Sequence, residues 1–293
     1  MAGVAARTRT PCTGVAWALA ALLLVAIPLL AGCDAKPGPF RQVDGGWRYK
    51  DTPIPDADAR TFAGLDDHYA KDRSRVYHAD TYRDGKEYFM IAHDRVAVVA
   101  GADPASFAVL GRGYAKDAAN VYFEGARVAV RDPRTFELLD YGFARDRATG
   151  YYLHGEVAGS DGATFVALGN RYAKDAARVY FADLVIGDGE RRPYVSSVPL
   201  PGAQSATFRV LDAGYAADAG QAYYRDQVLS RDVASFAVLA FDYAKTSSQV
   251  YYRGAVIPGA DAATFATFDA PTDAGDARDA KRTYAQGRPV QAR

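Results

Sequence analysis

The sequence predicts an all-β protein, an open array of about seven short β-hairpin or meander repeats. Three observations carry that reading. Phenylalanine recurs at Phe62, Phe107, Phe136, Phe165, Phe208, Phe236 and Phe265. Ten residues after each of the first six stands Asp72, Asp117, Asp146, Asp175, Asp218 or Thr246, and five residues further on a tyrosine, Tyr77, Tyr122, Tyr151, Tyr180, Tyr223 or Tyr251. The seventh copy is stretched, but Asp279 and Tyr284 keep the five-residue interval. A register held over most of a chain marks repeat architecture. The third observation is composition: 20 tyrosines and 14 phenylalanines against 2 methionines, with 27 glycines, suit strands and tight turns better than a helical bundle. Only the abundant alanine points the other way.

The copy from Asp103 to Val130 shows what each part of a repeat should do. It opens on Asp103-Pro104-Ala105-Ser106-Phe107, and D-x-x-[ST]-F recurs at Asp58, Asp132, Asp161, Asp232 and Asp261, with Gln204 in place of the acid in the fifth copy. The carboxylate can accept backbone N–H groups and the proline suits a first helical position, so this segment reads as one helical turn or an Asx/ST turn that delivers the phenylalanine inward. Phe107 to Leu110 then reads as a strand, Gly111 and Gly113 as a bend, and Tyr114 to Asp117 as a second strand. Asp117 to Asn120 connects to the strand Val121-Tyr122-Phe123, and Glu124-Gly125 connects to Arg127 to Val130. Alternation along a strand puts Val121 and Phe123 on one face and Tyr122 on the other. One face should build the core, and the other should carry a ladder formed by Tyr122, Tyr151, Tyr180, Tyr223 and Tyr251. The repeated aspartate reads as a turn cap; a row of calcium-binding carboxylates is the competing reading, though the repeat lacks the dense Gly-Asp alternation that supplies enough oxygens.

The repeat is 29 residues where uninterrupted, as from Phe107 to Phe136 to Phe165. That is short for a four-stranded blade of about 40 residues, so an open array is favoured over a closed β-propeller. Longer joins fall at residues 78–102 and 183–203, on the same connection. The first, with Tyr82, Tyr88, Phe89, Met90 and Val96 to Val99, reads as an added hairpin; the second, with Arg191-Arg192-Pro193-Tyr194, as a loop. Residues 47–57 parallel the segment from Val250, which makes them a half-repeat capping the seven repeats of 58–293.

Residues 1–33 have the layout of an export signal: Arg7 and Arg9 without an acid, an apolar run from Val15 to Leu30, then small residues. Leu29-Leu30-Ala31-Gly32-Cys33 resembles the bacterial lipobox, which implies cleavage before Cys33 and lipid modification of that residue. The protein is then expected on the bacterial cell envelope, facing the periplasm and held to the membrane by acyl chains. Asp34 resembles a signal for the inner rather than the outer membrane. Residues 34–46, polar with proline and glycine, read as a tether.

At Tyr114 to Asp117 with Val121 to Gly125, and at Val250 to Gly254, the chain resembles the DKNYY family of bacterial envelope repeat proteins, named for a turn aspartate followed by a tyrosine pair. The resemblance spans residues 58 to 293. The chain departs from the pattern in carrying Ala-Ala or similar for Lys-Asn and phenylalanine as second aromatic at Phe123 and Phe181. The resemblance implies envelope placement and no particular activity.

Lysine plus arginine balance aspartate plus glutamate at 35 each, so no net field draws nucleic acid. The two cysteines, Cys12 and Cys33, both lie in the leader, leaving the repeats without disulfide or thiolate. His68, His78, His93 and His154 show no metal-ligand spacing, and no nucleophile-elbow, P-loop or dinucleotide fingerprint occurs. The expectation is a protein that is not an enzyme and uses no cofactor, a scaffold that binds another envelope protein through the two inserts. The alternative is a glycan or peptidoglycan module stacking sugars on exposed tyrosines.

Overall fold

The computed structural model describes residues 38–83, 91–187, 194–272 and 274–290. Among them every regular element is a β-strand. The strands form one three-stranded sheet and seven four-stranded antiparallel sheets, each a plain meander in chain order. In the third sheet the strands are Ala108–Gly111, Tyr114–Lys116, Val121–Phe123 and Ala126–Val128. The strand and turn assignments expected for this copy therefore hold. The connection Glu124-Gly125 has both residues at positive φ, 49° and 75°, as a two-residue hairpin turn requires. A side chain at Gly125 would also strike the His78 ring, its Cβ lying 2.7 Å from that of His78.

The sheets pack face on face, and alternation along each strand decides which neighbour a side chain meets. In Tyr114-Ala115-Lys116 and Val121-Tyr122-Phe123, the residues Ala115 and Tyr122 join Phe107 in a core with Tyr69 and Val76 of the sheet before. Tyr114 and Val121 join Phe136, Ala144 and Tyr151 of the sheet after. The same exchange recurs from Tyr49 and Ile54 on Phe62 at the start to Tyr243 and Val250 on Phe265 at the end. Eight sheets thus enclose seven cores, each between chain neighbours, which is the count of an open array; a closed ring would need one more.

This stacking corrects two expectations. The middle strands have no free face: Val121 and Tyr122 are both fully buried, because a sheet lies on either side. And the segment expected as tether contains a strand, Phe40–Val43, paired with Gly46–Tyr49. Asp44-Gly45 is a hairpin signal there, and Phe40 packs at 5.2 Å from Tyr49 and 6.0 Å from Phe62. The three-stranded sheet, completed by Thr52–Pro53, therefore begins seven residues before Trp47.

The eighth sheet departs from the pattern on its far face. At the positions that hold Tyr243, Val250 and Tyr252 one repeat earlier, it carries Asp276, Thr283 and Ala285. These are the residues that elsewhere face the next sheet. Asp276 is buried and accepts the Tyr243 hydroxyl at 2.7 Å and the Gln286 amide at 2.8 Å, while Thr283 and Ala285 are half-buried and lack the large apolar surface of Val250 and Tyr252.

Candidate functional site

The repeated aspartate is a four-bond node. In the sixth sheet, one Asp218 carboxylate oxygen accepts the Gly220 and Gln221 amides at 2.7 and 2.8 Å. The other accepts the Gln204 amide at 2.8 Å and the Tyr223 hydroxyl at 2.7 Å. Asp72, Asp117, Asp146, Asp175 and Asp279 repeat the pattern, each taking the hydroxyl of the tyrosine five residues on at 2.6 to 2.8 Å. With two donors on each oxygen, the carboxylate has its lone pairs directed at protein groups, which is the geometry of a turn cap. Burial alone would push these carboxyls up, but the hydrogen bonds outweigh it and hold all six below the ordinary range. The same burial, with the anion beside it, pushes the hydroxyls of Tyr77, Tyr122, Tyr180 and Tyr284 up to about 12.

The serine or threonine of D-x-x-[ST]-F closes the node. Thr207 Oγ1 accepts the Ala219 amide at 3.1 Å, and Thr61, Ser106, Thr135, Thr164, Ser235 and Thr264 accept the matching amide in their copies. Thr246 is the exception at the aspartate position. Its hydroxyl keeps only the two turn amides, at 3.3 and 3.1 Å, and Tyr251 turns to the Gln249 side chain.

The expected tyrosine ladder is therefore corrected. Tyr122, Tyr151, Tyr180, Tyr223 and Tyr251 are at most 2 % exposed, and none offers a ring face to a sugar. Alternation had correctly set them opposite Val121 and its equivalents. What it does not say is that another sheet covers that side.

Two groups of residues went unassigned in the sequence and prove to join neighbouring sheets. The second-strand tyrosines reach across: Tyr69 donates to the Gly113 carbonyl at 3.0 Å and accepts the Gly125 amide at 2.9 Å. Tyr114, Tyr172, Tyr215 and Tyr243 do the equivalent in later joints. The lysines behind them cap the following turn: Lys71 donates to the Pro104 and Phe107 carbonyls, Lys174 to Ser205, Lys245 to Ala262 and Phe265. The signal was present as Tyr-Ala-Lys at 69–71, 114–116, 172–174 and 243–245.

Both inserts lengthen the outer pair of strands into a hairpin. The first pairs Val76–Tyr82 with His93–Val98, and the second pairs Val179–Val185 with Tyr194–Pro199. The second is thus not the loop expected; its alternation of apolar residues continues the strand register. Tyr88, Phe89, Met90 and the Arg191-Arg192-Pro193 run lie outside the described residues, as does Cys33. Tyr82, Ile91 and Val98 on the first hairpin, and Leu184, Ile186, Tyr194 and Val198 on the second, make up more than half of the exposed large apolar side chains among the described residues.

The second hairpin also borders a groove of about 350 Å³ between Phe181, Val185 and Val198 on one wall and Tyr224, Arg225 and Gln227 on the other. Asp183 in it is held by Arg225 and, at 2.8 Å, by Arg171. On the second sheet strand pairing brings two histidines together, His68 and His78, with rings 6.2 Å apart, and His68 Nδ1 lies 3.0 Å from the Ala79 carbonyl. Burial lowers the His78 pKa. No cluster of three or more metal-ligating side chains occurs among the described residues.

The family model described as the DKNYY family matches three overlapping stretches, residues 47–155, 82–227 and 143–288. The chain belongs to the DKNYY family. No curated protein and no solved structure matches it. Its departures from the DKNYY pattern fall where the fold asks little of the side chain. Ala118-Ala119 replace Lys-Asn in a turn that uses the Ala119 amide, 2.8 Å from Asp117. The second aromatic lies on the second-strand ring of its own sheet, 4.7 Å for Phe123 on Tyr114 and 4.9 Å for Tyr252 on Tyr243, a contact that needs a ring and no hydroxyl.

Proposed function

We propose that this chain is a non-catalytic scaffold of the bacterial envelope, anchored by a lipid on Cys33 and binding another envelope protein through its two inserted hairpins. The observation that carries the proposal is the concentration of exposed apolar side chains on those hairpins, beside repeats whose polar groups are used up internally. The six node carboxyls, with pKa values held down, are spent on turn amides and on the tyrosine hydroxyls beside them. The exposed-ring basis for glycan binding is gone with the burial of the ladder. The lipid anchor rests on the Leu29 to Cys33 motif.

The test is photo-crosslinking in cells from a reactive residue at Tyr82 or Ile186, with Val228 and Val256, exposed on other outer strands, as controls. One discrete adduct from the hairpin positions and none from the controls is expected. Adducts that are absent, or equal at all four positions, refute the docking role. Mass spectrometry of the mature N-terminus independently tests the anchor: an unacylated Cys33 removes it.

A further inference from the structure

We propose that this chain pairs with a second copy of itself through the outer edge of the fifth sheet, strand Tyr194–Pro199 running antiparallel to the same strand of the second copy, with Ser196 on the two-fold axis. The Leu200 amide donates to the Val179 carbonyl at 2.8 Å, and the register places Val198 opposite Phe181, Ser196 opposite Asp183 and Tyr194 opposite Val185. Alternation makes these the pairs bonded within the sheet. The amides of Val195 and Ser197 therefore point away from it, and neither has a backbone partner among the described residues.

Other outer strands are guarded. Thr52–Pro53, Ala126–Val128, Gly155–Val157, Gln227–Ser230, Ala255–Val256 and Arg288–Pro289 have four residues or fewer. His93–Val98 is as long, but it carries Asp94 and Arg95, and Thr52 occupies the Asp94 carbonyl. Tyr194–Pro199 has six residues, and none of them is charged at neutral pH. A long edge without charge is a template for another strand.

The sequence Tyr-Val-Ser-Ser-Val-Pro fixes the register. Outward amides must bond to outward carbonyls, so Val195 meets Ser197 of the second copy and the reverse, giving four hydrogen bonds around Ser196. Phe181 and Val198 then continue into Tyr194 and Val185 of the second copy, an apolar row that symmetry repeats. Tyr194 and Val198, 50 % and 38 % exposed, become covered. Centring the pair on Val195 or Ser197 would set Tyr194 or Val198 against serine, and in the second case lose a bond to Pro199, which has no N–H. The pairing uses the second hairpin of the scaffold reading, and the two are told apart because its readout is the association of this chain alone.

Full-length chain in detergent, with Cys12→Ser and Cys33→Ser, is oxidised after Ser196→Cys. Facing residues of a non-bonded antiparallel pair lie about 4.5 Å apart at Cα, within disulfide range of about 4.4–6.8 Å. A disulfide dimer is expected from Ser196→Cys and not from Val228→Cys. Adding Ser197→Pro, which removes an outward amide the sheet does not use, lowers the yield roughly tenfold or more, and so does Tyr194→Asp, which puts a carboxylate in the apolar row. The contact is smaller than a standard interface, so the chain is examined up to roughly 1 mM. No dimer at that concentration, equal yield from Val228→Cys, or yields indifferent to both disrupting changes would overturn the pairing.

Discussion

Replacing Asp218 by alanine tests whether the aspartate–tyrosine node is what locks each turn to its sheet. The carboxylate is fully buried and accepts four bonds of 2.7 to 2.8 Å. Gly220 and Gln221 are both half-buried in the surface turn, so their amides can turn to water, and losing a charged acceptor costs each about 0.5 kcal/mol. The Gln204 amide and the Tyr223 hydroxyl are worse placed. Tyr223 is fully buried with Asp218 as its acceptor, so an unsatisfied hydroxyl adds about 2 kcal/mol and the Gln204 amide about 1. The sum is about 4 kcal/mol. Thr246 supplies the internal control, since a hydroxyl there keeps the two turn amides and gives up the other two bonds; Asp218→Thr should therefore cost about 3 kcal/mol. Urea unfolding by circular dichroism, with hydrogen exchange read over residues 215–224, measures both. Tyr223→Phe should be less costly in the Asp218→Ala background than in the wild type by about 1–2 kcal/mol, because it removes the orphaned hydroxyl. A loss below about 1 kcal/mol for Asp218→Ala, or a Tyr223→Phe cost identical in both backgrounds, refutes the reasoning.

The joint between the sixth and seventh sheets lacks the node aspartate (Thr246) and the capping lysine (Ala217), and its core is the smallest of the seven. Hydrogen exchange should be fastest there, and Thr246→Asp with Ala217→Lys should slow it by about tenfold; unchanged exchange would show that neither position limits the joint. Gly254, at φ 78°, would place a Cβ 2.4 Å from Tyr224 Cδ1, so Gly254→Ala should destabilise by about 2 kcal/mol or more, while Gly45→Ala, with open space around it, should cost about 1 from backbone strain alone. Unfolding midpoints should depend on pH at both ends. The node carboxyls titrate below their unfolded value of 3.8, so their stabilisation is complete above that pH and is lost as pH falls through the folded values. Tyr77 and Tyr122 titrate at about 12 against 10.0 unfolded, so their contribution is complete below 10 and lost as pH rises through 12. His78, held below 6.5, adds a smaller loss beginning as pH falls below that value, and a midpoint that rises on acidification below pH 3.8 would contradict the assignment.

Most of the fold was legible because its unit repeats. Period-two alternation in Val121 to Phe123, glycine at Gly111 and Gly125 and the acid at Asp117 each specify a local event, and seven copies remove the ambiguity of one. What was not legible is what lies across from a strand. Tyr122 alternates correctly, but a tyrosine opposite a valine looks the same in sequence whether that side faces water or another sheet. The clue was composition by position. A face exposed in every copy would tolerate lysine or glutamate somewhere, yet the positions of Tyr77, Tyr122, Tyr151, Tyr180, Tyr223, Tyr251 and Tyr284 hold tyrosine throughout. The hidden strand at Phe40 was missed for a different reason: Asp44-Gly45 was read as linker chemistry, although the same dipeptide type closes hairpins.

The node also explains why a tyrosine is required where a phenylalanine would fill the space. Phe208 packs on the Tyr223 ring at 5.6 Å and Tyr172 packs on Phe208 at 5.4 Å, so the aromatic surface alone could be supplied without a hydroxyl. The hydroxyl adds the fourth donor that lets a carboxylate be buried as an anion. Without it the remaining three amides would leave one lone pair of a fully buried charge unanswered, and the desolvation cost would rise. Aspartate and tyrosine are therefore one device: the acid organises the turn, the phenol makes burying the acid tolerable, and stacking of the preceding sheet keeps water from both. Where the acid is absent, at Thr246, Tyr251 is retained for its ring but its hydroxyl has gone to a side-chain amide two residues away. The repeat keeps its core there and loses its lock, which is why that joint is the place where the array should open first.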